Sequence, residues 1–220
     1  MTTITEQEQH VYETVGSKLP PEVSQAFADD RLALEVRTDR SKLVKAGDTL
    51  APFTLTDATG VDVTLDQLLA DGPAVLVFYR GGWCPYCNVA LHAYRTELEP
   101  ALAERGISLA AISPQLPDGS LSTKEKHELE FPVLSDPKNR VAGPLGIVFE
   151  PSDEVGAAQR QLGLDLTVVN GQERVALPMP TVLLVDEDRT IRFADVRVSY
   201  LERTEVSQIL DAADGLPARA

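Results

Sequence analysis

Hydrophobic side chains in the first part of the chain recur at helical spacing. Residues 5–44 are amphipathic, and the apolar side chains of one face are Val11, Val15 and Leu19. Two consecutive prolines, Pro20 and Pro21, end the first helix, and a second helix is predicted over 22–34. We therefore expect an N-terminal helical extension, residues 1–45, packed against a main domain of residues 46–220.

Beyond residue 45 the hydrophobic pattern alternates between strands and helices. The continuous apolar run over 74–79 has the length and composition of a parallel strand that is buried on both faces. A helix over 84–105, ended by Gly106, and a strand over 107–112 complete a βαβ unit. The other predicted elements are a hairpin over 52–64, helices over 65–70, 122–130, 153–162 and 202–213, a helical turn over 138–142, and strands over 132–134, 181–185 and 190–194. This order predicts an α/β domain whose central mixed sheet is flanked by helices.

The net charge of the chain argues against two classes of binding partner, nucleic acids and membranes. The 220 residues include 20 Lys and Arg against 34 Asp and Glu, a formal net charge of −14. Such a field repels nucleic-acid phosphates and anionic lipids, so neither nucleic-acid binding nor membrane binding is expected. The first ten residues are polar, unlike a secretory signal. A cytoplasmic protein is therefore predicted.

The chain has only two cysteines, and both lie where the buried strand gives way to the long helix. They occur in the run Trp83-Cys84-Pro85-Tyr86-Cys87. A helix N-terminus stabilises a thiolate, and such a site can lower a cysteine pKa from ~8.5 to ~3.5–7.5. Pro85 suits the first helical turn, and Arg80 adds a nearby cation. This spacing predicts a redox-active pair that can close a disulfide within one turn.

Two other interpretations of the pair are an inert packed pair and a metal site. A structural zinc site needs about four ligands. The chain offers only His10, His92 and His127 besides the cysteines, and they are scattered, so no metal is expected. No glycine-rich phosphate loop is present, and no flavin or nicotinamide cofactor is expected. Gly82, in Gly81-Gly82, is predicted to let the backbone approach the substrate.

Several motifs resemble those of the alkyl hydroperoxide reductase and thiol-specific antioxidant family, the peroxiredoxins and peroxiredoxin-like proteins. They are Gly47-Asp48-x-x-Ala51-Pro52-x-x-Leu55, Val75–Tyr79, Phe131–Asp136 and Leu184-Val185-Asp186. The resemblance implies a thioredoxin-like fold and a hydroperoxide substrate. It also implies a thioredoxin-like or low-molecular-weight thiol as reductant, and a possible homodimer. It places Pro180 where thioredoxin-fold proteins carry a cis-proline beside the cysteine pair.

The chain departs from the peroxiredoxin pattern at the active site. The family motif is Pro-x-x-x-Thr-x-x-Cys. When it is aligned with this chain, Arg80 replaces the proline, Cys84 replaces the threonine, and Cys87 stands at the cysteine. Pro180 occupies the position of a family arginine, for which Arg192 or Arg197 is a possible substitute. If the pair acts as in thioredoxins, Cys84 attacks the substrate and Cys87 then closes the disulfide. If it acts as in peroxiredoxins, Cys87 attacks the peroxide and Cys84 closes the disulfide.

Two alternatives to a thiol peroxidase therefore stay open. Cys-Pro-Tyr-Cys is also the glutaredoxin motif, and a preceding Trp is typical of thioredoxins. The pair could therefore serve a thiol–disulfide oxidoreductase acting on disulfides, or a redox-sensing switch. In each case Cys84 and Cys87 carry the chemistry, and the supporting residues are Arg80, Gly82, Trp83, Pro85, Tyr86 and Pro180.

Overall fold

The computed structural model describes residues 2–216, so Met1 and residues 217–220 of the predicted main domain lie outside it. Nine strands are present in this part of the chain: β1 (Thr54–Asp57), β2 (Asp62–Thr64), β3 (Ala74–Phe78), β4 (Ser108–Ser113), β5 (Val133–Ser135), β6 (Val148–Phe149), β7 (Leu177–Pro178), β8 (Thr181–Val185) and β9 (Ile191–Val196). Seven of them form one sheet in the order β2-β1-β5-β4-β3-β8-β9, and β6 pairs with β7.

The predicted central strand lies inside this sheet. β3 runs parallel to β4 and antiparallel to β8, and all five of its residues are buried. β4 is parallel to β5, whereas β1 with β2 and β8 with β9 are antiparallel pairs. The sheet is therefore mixed, as predicted, and β3 delivers the chain to the cysteine pair from its carboxyl end.

The helices among residues 2–216 are α1 (Ile4–Thr14), α2 (Pro21–Arg37), α3 (Leu65–Leu68), α4 (Pro85–Ala93), α5 (Glu99–Ala103), α6 (Pro117–Lys126), α7 (Asp153–Gln161), α8 (Leu166–Asn170) and α9 (Val206–Asp214). Each face of the sheet carries its own apolar core. Side chains of α1, α4, α5 and α9 pack on one face, and α3 packs on the other. None of these helices combines the length and apolarity needed to cross a bilayer.

The first two helices pack against the rest of the chain. The Glu205 carboxylate accepts hydrogen bonds from the backbone N–H groups of Ile4 and Thr5 at 3.0 and 2.8 Å, so it caps α1 from outside. In α2, Asp30 Oδ1 accepts a bond of 2.9 Å from the N–H of Ser152, at the start of α7. Pro21 is the first residue of α2, a position where proline is well tolerated. The boundary at residue 45 stays a prediction.

The long helix predicted over 84–105 is not continuous. A π-helical turn over Tyr94–Leu98 separates α4 from α5. This wider turn ends two residues before Pro100, which lacks the N–H that an uninterrupted α-helix would use. The prediction of one continuous helix relied on hydrophobic spacing and did not take Pro100 into account. The turn directs the Tyr94 hydroxyl to the carbonyl of Thr204, at 2.7 Å.

Other boundaries differ because local end signals were overlooked. The helix predicted over 122–130 is α6, which begins earlier at Pro117, a residue suited to the first turn. The least regular region, 145–178, contains α8 and the β6–β7 pair in addition to the single predicted helix. The closing helix starts at Val206, since Glu205 is its N-cap and bonds reciprocally with Gln208.

Candidate active site

The cysteine pair lies at the junction of β3 and α4. Cys84 is the N-cap of α4, and its carbonyl accepts the first helical hydrogen bond from Asn88 at 3.1 Å. Cys87 lies within the first turn, so both sulfurs are held near the unpaired N–H groups of the helix. Both cysteines are free, and each has 1% of its surface exposed. The predicted residues are thus brought together, although Cys84 is less exposed than thioredoxin logic assumed.

Two guanidinium groups face the sulfurs. Arg203 Nη2 lies 2.9 Å from Cys87 Sγ and 3.6 Å from Cys84 Sγ. Arg80 Nη1 lies 4.0 Å from Cys84 Sγ. Both arginines are buried, with Arg203 only 5% exposed, so their charges act with little screening by water. Two buried cations therefore lie within 4.0 Å of Cys84 Sγ, and one of them also contacts Cys87 Sγ.

These charges separate the pKa values of the two thiols. Burial raises the pKa of the Cys84 thiol, but a hydrogen bond from Cys87 and the charges of Arg80 and Arg203 outweigh it and hold that pKa well below its ordinary value. Burial raises the pKa of Cys87, and its hydrogen bond to Cys84 raises that pKa further. The reduced pair therefore holds one negative charge, centred on Cys84, with the Cys87 thiol as donor.

Aromatic rings and backbone carbonyls fix the two arginines. The Arg80 guanidinium lies 4.9 Å from the ring centroid of Trp83 and 4.2 Å from that of Tyr200. Arg203 Nη1 donates to the carbonyls of Tyr200 and Glu202 at 3.0 and 2.7 Å. A planar guanidinium can satisfy carbonyl and sulfur acceptors at the same time. The cations are therefore positioned before any substrate arrives.

Cys84 opens onto a pocket, and Cys87 lies behind it. The pocket has a volume of ≈ 240 Å³ and is mostly apolar. Its walls include the predicted supporting residues Trp83, Pro85 and Tyr86. The predicted apolar face contributes Val11 of α1 together with Val15 and Leu19, which lie beyond the end of α1 at Thr14. Helix α2 contributes Phe27, Ala28 and Arg31. The N-terminal helices thus form one wall of the site.

Gly82 does not line this pocket. Its N–H donates to Gln115 Oε1 at 2.6 Å, and its carbonyl accepts from Asn88 Nδ2 at 3.0 Å. A Cβ atom on Gly82 would overlap Thr123 Oγ1 of α6. The glycine therefore makes room for α6, and its expected role in the approach of substrate stays a prediction.

We expect Gly82→Ala to lower the free energy of unfolding by about 1–3 kcal/mol, because overpacking displaces α6. Urea unfolding of the reduced protein measures this change. Gly156→Ala, inside α7 where a Cβ meets nothing closer than 3.5 Å, is the matched control and should be neutral or stabilising. Equal stability of the Gly82 variant and the wild type would contradict this assignment.

Pro180 is close to the pair but not in the predicted conformation. It lines a small cavity together with Cys87 and Arg203, at the start of β8. No peptide bond among residues 2–216 is cis, so the expected cis-proline is wrong. The trans peptide is the intrinsically favoured form. In this arrangement the Pro180 carbonyl accepts a hydrogen bond of 2.8 Å from the Arg197 N–H.

Neither arginine proposed as a substitute reaches the sulfurs. Arg192 pairs with Asp186 at 2.6 Å, and Arg197 pairs with Asp195 at 2.7 Å. Arg203 supplies the charge instead, from the segment between β9 and α9. The residues next to Arg203 in the sequence form no motif, and only the fold brings Arg203 to Cys87. Among residues 2–216, no three side chains of His, Cys, Asp and Glu converge as a metal site would require.

Comparisons with known proteins agree with the motifs. The chain is 36% identical over 104 residues to the putative peroxiredoxin Rv1608c of Mycobacterium tuberculosis, covering 47% of this chain and 67% of that protein. It is 33% identical over 110 residues to peroxiredoxin Bcp of Escherichia coli, covering 50% of this chain and 69% of that protein.

Solved structures share the fold. Peroxidoxin BcpB of Mycobacterium tuberculosis superposes with a TM-score of 0.62 at 24% identity, over 80% of this chain and 99% of the other. A peroxiredoxin-like protein of Aquifex aeolicus gives 0.60 at 13% identity, over 78% and 87%. The predicted thioredoxin-like fold is confirmed. The sequence model of the AhpC/TSA family matches residues 46–194, and the chain therefore belongs to the AhpC/TSA family, as the motifs predicted.

Proposed function

We propose that the chain is a thiol peroxidase that reduces hydroperoxides with the Cys84–Cys87 pair. One observation carries this proposal: a single buried guanidinium, that of Arg203, lies within 3.6 Å of both sulfurs beneath a pocket that reaches Cys84. A cation there stabilises the attacking thiolate and the negative oxygen that leaves when the O–O bond of the peroxide breaks. Membership of a family whose relatives are named peroxiredoxins supports the same reaction.

The reaction has two covalent steps. The Cys84 thiolate attacks one peroxide oxygen, the O–O bond breaks, and the departing oxygen takes up a proton and leaves as an alcohol or water. The resulting sulfenic acid is attacked by the Cys87 sulfur, which loses its proton, and water leaves as the disulfide forms. The free sulfurs of the reduced pair must move to the ~2.05 Å of a disulfide during the second step. A thiol donor then returns two electrons.

Cys84 is the sulfur that we assign to the first step. It lines the 240 Å³ pocket, whereas Cys87 lines only a cavity of ≈ 10 Å³ beneath it. The lowered pKa of Cys84 also makes it the thiolate of the pair. The family motif would assign attack to Cys87, and the shorter contact of Arg203 is with that sulfur. Attack by Cys84 would therefore be a departure from the family order.

The pocket walls favour an organic hydroperoxide over hydrogen peroxide. Trp83, Pro85 and Tyr86 offer apolar surface beside Cys84, and the N-terminal helices offer more. Burial of an alkyl or aryl group contributes roughly 25 cal/mol per Å² of apolar surface. Cations at Arg31 and Arg80 are the charged groups of this lining. A bulky apolar hydroperoxide can gain binding energy that hydrogen peroxide cannot.

A thiol–disulfide oxidoreductase is the second candidate function. The Cys84-Pro85-Tyr86-Cys87 run at a helix start favours it, because the more reactive sulfur is the first of the pair. The low exposure of Cys84 argues against a protein disulfide as substrate, since the attacking sulfur must reach it. A redox switch would use the same disulfide without rapid turnover.

We further propose a cytoplasmic location, because two lone cysteines in a redox motif are typical of a reducing compartment. The reductant is proposed to be a low-molecular-weight thiol or a thioredoxin-like protein. A homodimer stays a prediction: the α1 face that motivated it lines the active-site pocket.

Stopped-flow oxidation of the reduced protein tests the proposed activity. Trp83, beside Cys84, provides the fluorescence signal. We expect second-order rate constants well above that of free cysteine at pH 7, and a larger constant for cumene hydroperoxide than for hydrogen peroxide. The double variant Cys84→Ser/Cys87→Ser is the control. Oxidation no faster than that of free cysteine by either peroxide would remove the peroxidase proposal and leave the disulfide exchange reaction.

A further inference from the structure

A buried carboxyl group of the N-terminal extension faces the active-site arginine. Glu8, on α1, is 6% exposed, and its Oε1 lies 4.0 Å from Arg203 Nη1. That oxygen is buried and has no hydrogen-bond partner among residues 2–216. Glu8 and Arg203 both lie outside residues 46–194, the part of the chain that matches the family model. Arg203 therefore lies between two acidic groups, the cysteine pair and Glu8.

In the reduced protein the thiolate is the counterion of Arg203. Burial raises the pKa of Glu8 to about 8; the Arg203 charge lowers it, and Glu205, Cys87 and Glu202 raise it. Tyr94 and Tyr86, the other titratable groups that interact with Glu8, stay neutral because burial raises their pKa values. Glu8 is thus protonated at neutral pH, which fits an oxygen at 4.0 Å that makes no hydrogen bond.

Disulfide formation removes that counterion. The thiolate charge disappears when the two sulfurs bond, yet Arg203 stays buried and protonated. A buried charge without a partner is strongly unfavourable. Glu8 is the carboxyl that already lies at ion-pair distance from Arg203. Loss of its proton would restore neutrality without unfolding any element.

We propose that Glu8 is a positioning residue that neutralises Arg203 in the oxidised state, so that closing the Cys84–Cys87 disulfide releases the Glu8 proton. The proposal rests on the proposed function only in requiring that this disulfide forms. The balance closes. A thiolate, a thiol, a hydroperoxide and one proton yield a disulfide, an alcohol and water, and Glu8 gives up one proton as the carboxylate forms. Oxidation of the whole protein by a hydroperoxide then takes up no proton from solvent.

The test is the redox equilibrium of the protein with dithiothreitol between pH 5.5 and 7.5, which needs no peroxide. Reduction of the wild type accepts two protons, at Cys87 and Glu8, and the dithiol supplies both. We therefore expect its equilibrium constant to be independent of pH. In Glu8→Gln only one proton is accepted, and the constant should rise tenfold per pH unit.

Two variants make the result specific. Glu13→Gln removes an exposed carboxylate from the same helix and should behave as the wild type, and Glu8→Asp should restore a pH-independent constant. A merely structural role of Glu8 would shift the constant but not its pH dependence. Equal slopes in wild type and Glu8→Gln would overturn the proposal, as would a tenfold slope in the wild type. Absence of any disulfide would instead contradict the proposed function, and a peroxidase failure would appear only in the stopped-flow rates.

Discussion

Replacing Arg203 with methionine is expected to slow oxidation of the reduced protein by a hydroperoxide about 10²-fold or more at pH 7. The methionine fills similar space but removes the charge that lies 3.6 Å from Cys84 Sγ and 2.9 Å from Cys87 Sγ. Hydrogen bonds to charged groups contribute about 1.5–3 kcal/mol each, and 1.36 kcal/mol corresponds to one pKa unit. Losing the Arg203 charge should therefore raise the Cys84 pKa, so that less of the attacking thiolate is present at pH 7.

The pH profile separates this cause from damage to the fold. Because Arg203 lowers the pKa of Cys84, its removal should move the rise of rate with pH to higher pH, and the rate should partly recover in alkaline buffer. Arg192→Met is the matched control, since Arg192 pairs with Asp186 away from the sulfurs. Arg203→Lys should recover only part of the rate, because an ammonium cannot reach both sulfurs and the carbonyls together. An unchanged profile in Arg203→Met would contradict the assigned role.

The two single cysteine variants should fail at different steps. Cys84→Ser should reduce the rate of peroxide consumption by at least about 10³-fold, since a serine hydroxyl does not ionise near neutral pH. Cys87→Ser should keep the first step within roughly tenfold of wild type but stop after one turnover. Its product is a sulfenic acid on Cys84, which dimedone labels and mass spectrometry locates.

This experiment also decides the order of attack. Rapid single-turnover oxidation of Cys84→Ser together with an inert Cys87→Ser would assign the first step to Cys87, the position that the family motif indicates. The double variant provides the background rate. Circular dichroism of the four reduced proteins checks that the differences arise at sulfur and not from unfolding, because both side chains are buried in the core below the pocket.

The sequence predicted those parts of the molecule whose signal is local. The five buried residues of β3, the cysteines at the start of α4 and Pro85 in its first turn all follow from neighbouring residues. The mixed sheet with flanking helices also followed from the alternating β and α patterns, whereas its strand order was not predicted. The family motifs are local patterns of the same kind.

The rest depended on contacts between distant segments. Glu8 and Arg203 are separated by most of the chain, and their neighbours give no sign that they meet. The π-helical turn before Pro100 directs Tyr94 to Thr204, beside Arg203, a consequence that hydrophobic spacing does not encode. The packing of Gly82 against α6 was not predicted, because a glycine needed for the close approach of a helix is indistinguishable in sequence from one needed for a substrate.

The position of α1 and α2 over Cys84 has a consequence for regeneration. With 1% of its surface exposed, Cys84 cannot meet the flat surface of a folded reductase unless these helices first swing aside. Such a movement would have to break the hydrogen bonds that the N–H groups of Ile4 and Thr5, in the first turn of α1, donate to the Glu205 carboxylate. We therefore expect a low-molecular-weight thiol that can enter the pocket to reduce the disulfide faster than a folded reductase does.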